Sequence, residues 1–220
     1  MKYKLLAVAQ AIVIALVILA GAIALPILCR FFFYLHIEPY GLTEAMGLTT
    51  AEIKTAYNEM MDYCMGLSGS FSAGVLPFSA EGAAHFADVR KLFILDLAVL
   101  AGAVLALIPL LVFGRKKALR LGGHTPGFWA SVGLGVSFLV VGGLAALDFE
   151  RAFVIFHQLF FPGKDNWTFD PWEDEIIMVL PQEFFRNCAI LIGVALIAMS
   201  AAAIVTSVVV KRRADNKVKD

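Results

Sequence analysis

Residues Ser79–Phe113 read SAEGAAHFADVRKLFILDLAVLAGAVLALIPLLVF. Ser79 can cap a helix that starts near Ala80, and no proline interrupts the pattern before an apolar run opens at Leu92 and continues to Phe113. A bilayer crossing needs about 20 apolar residues, so one continuous helix is expected to carry Glu81, His85 and Asp88 outside the membrane and Asp96 inside it. At about 3.6 residues per turn, Glu81 and Asp88 fall at i−4 and i+3 from His85, where either can orient the imidazole or stabilise its charged form. Asp96 follows eleven residues later on the same face, about 16 Å deeper at the standard rise. A carboxylate at that depth should face protein or a wet cavity rather than lipid, as a structural partner or a functional one.

Three further apolar runs are long enough to span, at residues 5–28, 128–147 and 189–210, and lipid around them leaves helices as the workable form. The first run imitates a signal peptide, with Lys2 and Lys4 ahead of it, but its length of about 24 residues exceeds the 7–15 of a secretory apolar region. Lys2, Lys4, then Arg115, Lys116, Lys117 and Arg120, then Lys211, Arg212, Arg213, Lys217 and Lys219 mark three short cytoplasmic segments. The expected architecture is an all-α integral membrane protein forming one membrane domain over residues 1–220. Four transmembrane helices place both termini in the cytoplasm, and segments 30–91 and 148–187 form an extracytoplasmic cap.

Composition agrees: 60% of residues are hydrophobic and 16% charged, and the mean hydropathy is +0.81. The formal net charge of zero hides the segregation of basic residues and gives no sign of nucleic-acid binding. Cys29, Cys64 and Cys188 form no CxxC pair, which removes the reactive motif of membrane thiol oxidoreductases.

Outside the spans, Phe31-Phe32-Phe33-Tyr34 reads as an interfacial anchor, followed by a loop histidine, His36, that is expected to be solvated. Thr49-Thr50-Ala51-Glu52 is a capping box, and Ile53, Ala56, Tyr57, Met60, Met61 and Cys64 recur on one face of the helix it opens, which Gly66 ends. The serines of Gly66–Gly74 lack the G-x-S-x-G context of a nucleophile. Glycines 133, 135, 142 and 143 in the third span and Gly193 in the fourth are expected to permit close helix approach.

The connector Phe156–Phe185, FHQLFFPGKDNWTFDPWEDEIIMVLPQEFF, holds a histidine, a carboxylate cluster, two tryptophans and three prolines. That density points to a site rather than a mere link. The helix of the third span is expected to run on through Asp148, Glu150 and Arg151 to His157, before Pro162-Gly163 breaks it. Glu150 then shares a face with His157. Two chemistries suit this set. One is acid/base catalysis on an amphiphile by near-neutral imidazoles; the other is a metal site from His85, His157, Asp88 and His36, for which no compact ligand motif exists.

Glu81-Gly-Ala-Ala-His85-Phe-Ala-Asp88-Val-Arg90, with Phe156-His157, Phe160-Phe161, Trp167, Asp170-Pro171, Asp174, Leu180-Pro181 and Phe184-Phe185, resembles the lipoprotein intramolecular transacylase family. The linker Gly163-Lys164-Asp165-Asn166 lies outside the resemblance. The resemblance implies a four-helix enzyme of the bacterial cytoplasmic membrane with its site on the extracytoplasmic side and without a cofactor or metal. It implies transfer of the sn-2 acyl chain of a diacylglyceryl lipoprotein to the α-amine of the same molecule's amino-terminal cysteine, giving the lyso form. His85 and His157 fall at the family's catalytic histidines, His85 being assigned the amine and His157 the ester. Glu81, Asp88, Glu150, Asp96 and Asp174 are the expected supporting carboxylates, while Phe156, Phe160, Phe161, Trp167 and Trp172 are expected to seat substrate and membrane lipid. A non-catalytic lipid-binding or transporter-accessory protein, or a metal-dependent membrane hydrolase, are the alternatives.

Overall fold

A computed structural model describes residues 2–117 and 119–216. Of the basic residues expected to orient the chain, Lys217 and Lys219 lie outside the described residues, as do the side chains of Lys2, Arg115, Lys116, Lys117 and Arg213. In chain order the helices are α1 (Lys2–Leu28), α2 (Arg30–Tyr34), α3 (Leu42–Met46), α4 (Thr50–Cys64), α5 (Ala80–Lys117), α6 (Pro126–Leu147), α7 (Phe149–Phe160) and α8 (Gln182–Asn216), with a 3-10 turn at Glu175–Val179 before the last. No strand occurs among the described residues. Helices α1, α5, α6 and α8 are long and apolar enough to cross a membrane. At 38 residues, α5 reaches about 57 Å, well beyond a hydrocarbon layer of about 30 Å. Its polar first turns carry His85.

The chain divides into two compact units. One gathers the described residues of Met1–Ile23, Leu97–Leu144 and Leu191–Asp220. Its centre is Ile18, Ala22 and Leu196, with Leu134, Phe138 and Met199 packed against them. The close approach rests on one glycine: a Cβ at Gly193 of α8 would stand 2.3 Å from Cζ of Phe138, whereas Gly133, Gly135 and Gly143 face open space. The small-residue expectation for the third span is therefore corrected. There Gly133, Gly135 and Gly143 leave room that nothing enters, Gly142 lies against the Phe138 ring of its own helix, and Gly193 of α8 receives that same ring.

The other unit comprises Ala24–Asp96 and Ala145–Ile190. Its amphipathic helix α4 opens with the Thr49–Glu52 capping box and buries Ile53, Ala56, Tyr57, Met60, Met61 and Cys64, the face that the sequence periodicity marked. Against it pack α3 and the 3-10 turn, whose Ile176 and Val179 are fully buried. The Phe31–Tyr34 block is not a uniform anchor. Phe31 is exposed, but Phe33 is buried, stacks on Tyr57 at 3.9 Å and meets the edge of Phe184 at 5.3 Å. His36 is corrected too: its Nδ1–H donates to Phe32 O at 2.7 Å, and its Nε2 accepts from Asn187, which also donates to Tyr40. It is a structural clasp rather than a solvated ring.

Helix α6 does not run on into the His157 segment. Asp148 leaves the helical conformation (φ −154°), and its side chain accepts from Arg151 N at 2.9 Å, so it caps the separate helix α7. An aspartate can satisfy the free N–H groups of a new first turn, and here that local bond prevails over continuation of the helical pattern.

Candidate active site

The amino end of α5 is fixed by long-range bonds. The buried carboxylate of Asp174 accepts from Ser79 N at 2.7 Å and Ser79 Oγ at 2.8 Å, while Ser79 Oγ accepts from Gly82 N at 2.9 Å. Ser79 caps the helix, and Asp174 adds negative charge at its positive end. The carboxylate lies so close that a Cβ at position 82 would stand 2.1 Å from Oδ1, which only glycine avoids. Asp174 thus supports the site by holding the first turn of α5, one turn before His85, rather than by touching a histidine.

His157 sits in the last turn of α7, which ends at Phe160 ahead of Gly163 (φ +72°). Its Nδ1 lies 2.8 Å from Phe153 O. A backbone carbonyl can only accept, so Nδ1 carries the proton and the Nε2 lone pair is left for chemistry. His85 and His157 come within 5.9 Å, centre to centre, with 27° between their planes. They are only 5% and 8% exposed.

Aromatic side chains enclose the pair. Phe161 meets the edge of His85 at 4.9 Å and lies 5.7 Å from His157. Trp167 stacks on His157 at 4.7 Å, and Phe169 stands edge-on to His85 at 5.3 Å. Phe156 touches His157 at 5.5 Å and Phe160 at 4.6 Å, both half exposed. Trp172, expected among the substrate contacts, is 87% exposed and lies clear of the rings. Phe169 went unnoticed in the sequence because only the path of the loop brings it to His85.

Burial dominates the electrostatics. It pushes His85 down to about 4, aided by the neighbouring His157 and opposed by the Asp88 charge and the Asn166 side chain. Burial also lowers His157, partly offset by the bond to Phe153 O. Both rings are therefore neutral near pH 7. For Asp88, burial alone would raise the carboxyl, but bonds to Lys164 and Lys91 outweigh it and hold it down at about 2. Asp88 bonds Lys164 Nζ and Lys91 Nζ rather than His85, and reaches the histidine through its charge. Lys164, in the linker that the resemblance skipped, ties the loop after α7 back to α5 across 76 residues.

The remaining carboxylates stand apart. Glu81 and Glu150 are exposed, and Glu150 borders a shallow surface groove with Phe149, Gln182, Glu183 and Arg186. Asp96 is half buried, with Oδ2 enclosed and unbonded. Among the described residues, no three of His, Cys, Asp or Glu gather into a ligand cluster, and His36 is spoken for by Asn187.

The sequence pattern of the family described as lipoprotein intramolecular transacylase Lit matches residues 8–185. The chain belongs to the lipoprotein intramolecular transacylase family. That makes the transacylase an acyltransferase and a bacterial membrane protein. Its fold is similar to the in meso structure of the membrane-integral transacylase Lit from Bacillus cereus, with a TM-score of 0.88, 25% identity, and coverage of 96% of this chain and 98% of that one. Two structures of the Bacillus cereus protein with a histidine replaced, by arginine in one and by alanine in the other, match with TM-scores of 0.81 at 24% identity. They cover 99% of this chain, and 94% and 96% of theirs. No curated protein sequence matched the chain.

Proposed function

We propose that this transacylase moves the sn-2 acyl chain of a diacylglyceryl lipoprotein onto the α-amine of that molecule's amino-terminal cysteine, with His85 and His157 carrying the proton. The observation that carries the reading is the enclosed histidine pair within an aromatic shell. The amine nitrogen attacks the ester carbonyl, the N–C bond forms, the bond to the glycerol oxygen breaks, and the proton lost by nitrogen ends on that oxygen. Nothing is consumed, so the reaction is an isomerisation. Because nucleophile and ester belong to one molecule, holding the lipid folded supplies the effective concentration that a bimolecular transfer lacks.

The bond from His157 to Phe153 O favours exchanging the roles assigned from the sequence. With Nδ1–H committed, His157 offers Nε2 as the base, and the accepting carbonyl stabilises the imidazolium that forms. His85, whose proton affinity burial reduces more strongly, stays neutral and accepts a hydrogen bond that orients the amine, while the proton taken by His157 is returned to the glycerol oxygen. Burial of both rings excludes water, which would otherwise hydrolyse the ester. Phe156, Phe160, Phe161 and Trp167 supply apolar surface for the acyl chains, and exposed Trp172 suits an interfacial anchor.

Both termini are cytoplasmic and the histidines extracytoplasmic in this reading, since the basic residues cluster in the short segments. The single membrane domain would then hold its cap on the outer side, facing lipoproteins after export. With native cysteines removed, single cysteines at Ser70 and Lys164 should react with an impermeant reagent in intact cells, and one at Arg120 should not. The function itself is tested by mass spectrometry of a synthetic diacylglyceryl lipopeptide incubated with purified enzyme. Conversion at unchanged mass, with the acyl group relocated to nitrogen, is expected. An unaltered peptide, or one hydrolysed to free fatty acid, would overturn the reading.

A further inference from the structure

The two histidines are partnered unequally. Nδ1 of His157 donates to a carbonyl, but Nδ1 of His85 is enclosed by protein with no hydrogen-bond partner. Another enclosed and unpaired polar atom in this unit is Oδ1 of Asn166, on the loop that roofs the pair. Asn166 is bracketed by residues whose positions are fixed against the site. Lys164 is bonded to Asp88 one turn beyond His85, Trp167 stacks on His157, and Phe169 stands edge-on to His85. A buried ring nitrogen and a buried carboxamide oxygen are each costly when left unpaired, and an N–H on the first would satisfy the second.

We propose that Asn166 is a positioning residue that accepts the Nδ1 proton of His85 through its carboxamide oxygen and thereby fixes Nε2 as the working nitrogen. Both histidines then share one arrangement, Nδ1–H on a carbonyl oxygen and Nε2 facing the reacting atoms, one carbonyl coming from the backbone of α7 and the other from the loop. This suits a neutral His85. A carboxylate at position 166 would draw a proton onto the ring, whereas a carboxamide selects the tautomer without adding charge. The influence of Asn166 on His85 is in the expected direction, favouring its protonated form, as an acceptor facing an N–H must. The Lys164–Asp88 bridge holds the carboxamide in register, which gives the linker Gly163–Asn166 a purpose.

The inference rests on the acyl-transfer reading, so its test has a readout besides turnover. Full-length enzyme labelled with 13C-histidine is titrated by NMR, the His85 signal being assigned by its loss in His85→Ala. Asn166→Asp should raise the midpoint of His85 by at least about one unit, the shift given by a carboxylate in contact with an imidazole. Asn166→Leu should lower it and remove the preference for the Nδ1–H tautomer. On the diacylglyceryl lipopeptide, Asn166→Leu should lose about 10–100-fold in kcat, as when a partner orienting an active-site imidazole is removed, with KM little changed. Asn166→Asp should recover most of that loss above the raised midpoint and fall away below it, and Asn166→Gln should recover part. If neither the midpoint nor the tautomer of His85 responds to position 166, the inference is overturned, whatever the turnover. If they respond but wild-type enzyme leaves the lipopeptide unaltered, the acyl-transfer reading fails and the contact stands.

Discussion

His85 and His157 face one another across 5.9 Å with only 27° between their ring planes, one borne by the amino end of α5 and the other by the last turn of α7. At that separation two imidazolium charges repel in surroundings of low polarity, so the pair titrates as a unit and holds at most one proton near neutrality. A reaction that takes one proton from an amine and returns one to an alkoxide needs no more.

Acid should destabilise the protein through His85. Its folded value, near 4, lies below the unfolded value of about 6.5. Between those limits the unfolded chain binds more protons, so stability is fully present above about pH 6.5 and declines as pH falls towards 4. The difference corresponds to at most about 3 kcal/mol. Thermal unfolding in detergent at pH 7 and pH 5 should show a smaller drop for His85→Phe than for wild type. Equal drops would show that His85 titrates freely in the folded protein.

The Ser79–Gly82–Asp174 junction sets the position of His85. Gly82→Ala forces a Cβ into the Asp174 carboxylate and should cost about 1–3 kcal/mol, the usual range for overpacking. Asp174→Ala should do similar damage by leaving Ser79 N–H without its acceptor. Each variant should lose turnover beyond its loss of folded protein, because the turn carrying His85 is released. Unfolding midpoints measured beside specific activity decide this, and a stable, fully active Gly82→Ala would contradict the junction.

Lys164 is 45% exposed, so its bridge to Asp88 should contribute less than about 1 kcal/mol to stability. Lys164→Met should therefore fold almost normally yet turn over more slowly, since the loop carrying Trp167 and Phe169 loses its tie to α5. The accessibility of a cysteine at Thr168 to a thiol reagent should rise in Lys164→Met. Unchanged accessibility together with unchanged kcat would dismiss the bridge as incidental.

Chelators should leave activity intact. Asp88 is occupied by two lysines, His36 by Asn187, and the proposed transfer needs only proton movement. Loss of activity in chelator with recovery on adding zinc would instead favour the metal-dependent reading.

Features coded by nearest neighbours were legible in the sequence. The α4 face follows from helical spacing and one capping box, and the apolar run from Leu92 fixes α5. What escaped depends on bonds between distant residues or on local competition. Nothing in the sequence pairs Lys164 with Asp88 or Asp174 with Ser79, 95 residues apart. Glu81 and Asp88 share a face with His85 by spacing, yet Glu81 turns to solvent and Asp88 to lysines. At Asp148 a side-chain cap replaced a continuing helix, and His36 found Asn187 across 151 residues. The separation of His85 and His157 was not legible, because one ring is carried by α5 and the other by α7 and they meet only in the fold.

The central claim is that His85 and His157 act as one proton-handling unit. It is tested most directly by single-turnover conversion of a diacylglyceryl lipopeptide, followed by mass spectrometry, for wild type, His85→Ala, His157→Ala and the double variant. Each single substitution should lower the rate by about 10²–10⁴-fold, the span attributed to a positioned acid or base. The double variant should be little slower than the worse single one, as for residues that work together. His36→Ala should act only through stability, and His124→Ala should be silent. A folded His85→Ala or His157→Ala enzyme that converts the lipopeptide at near the wild-type rate, or two losses that multiply in the double variant, would contradict the account.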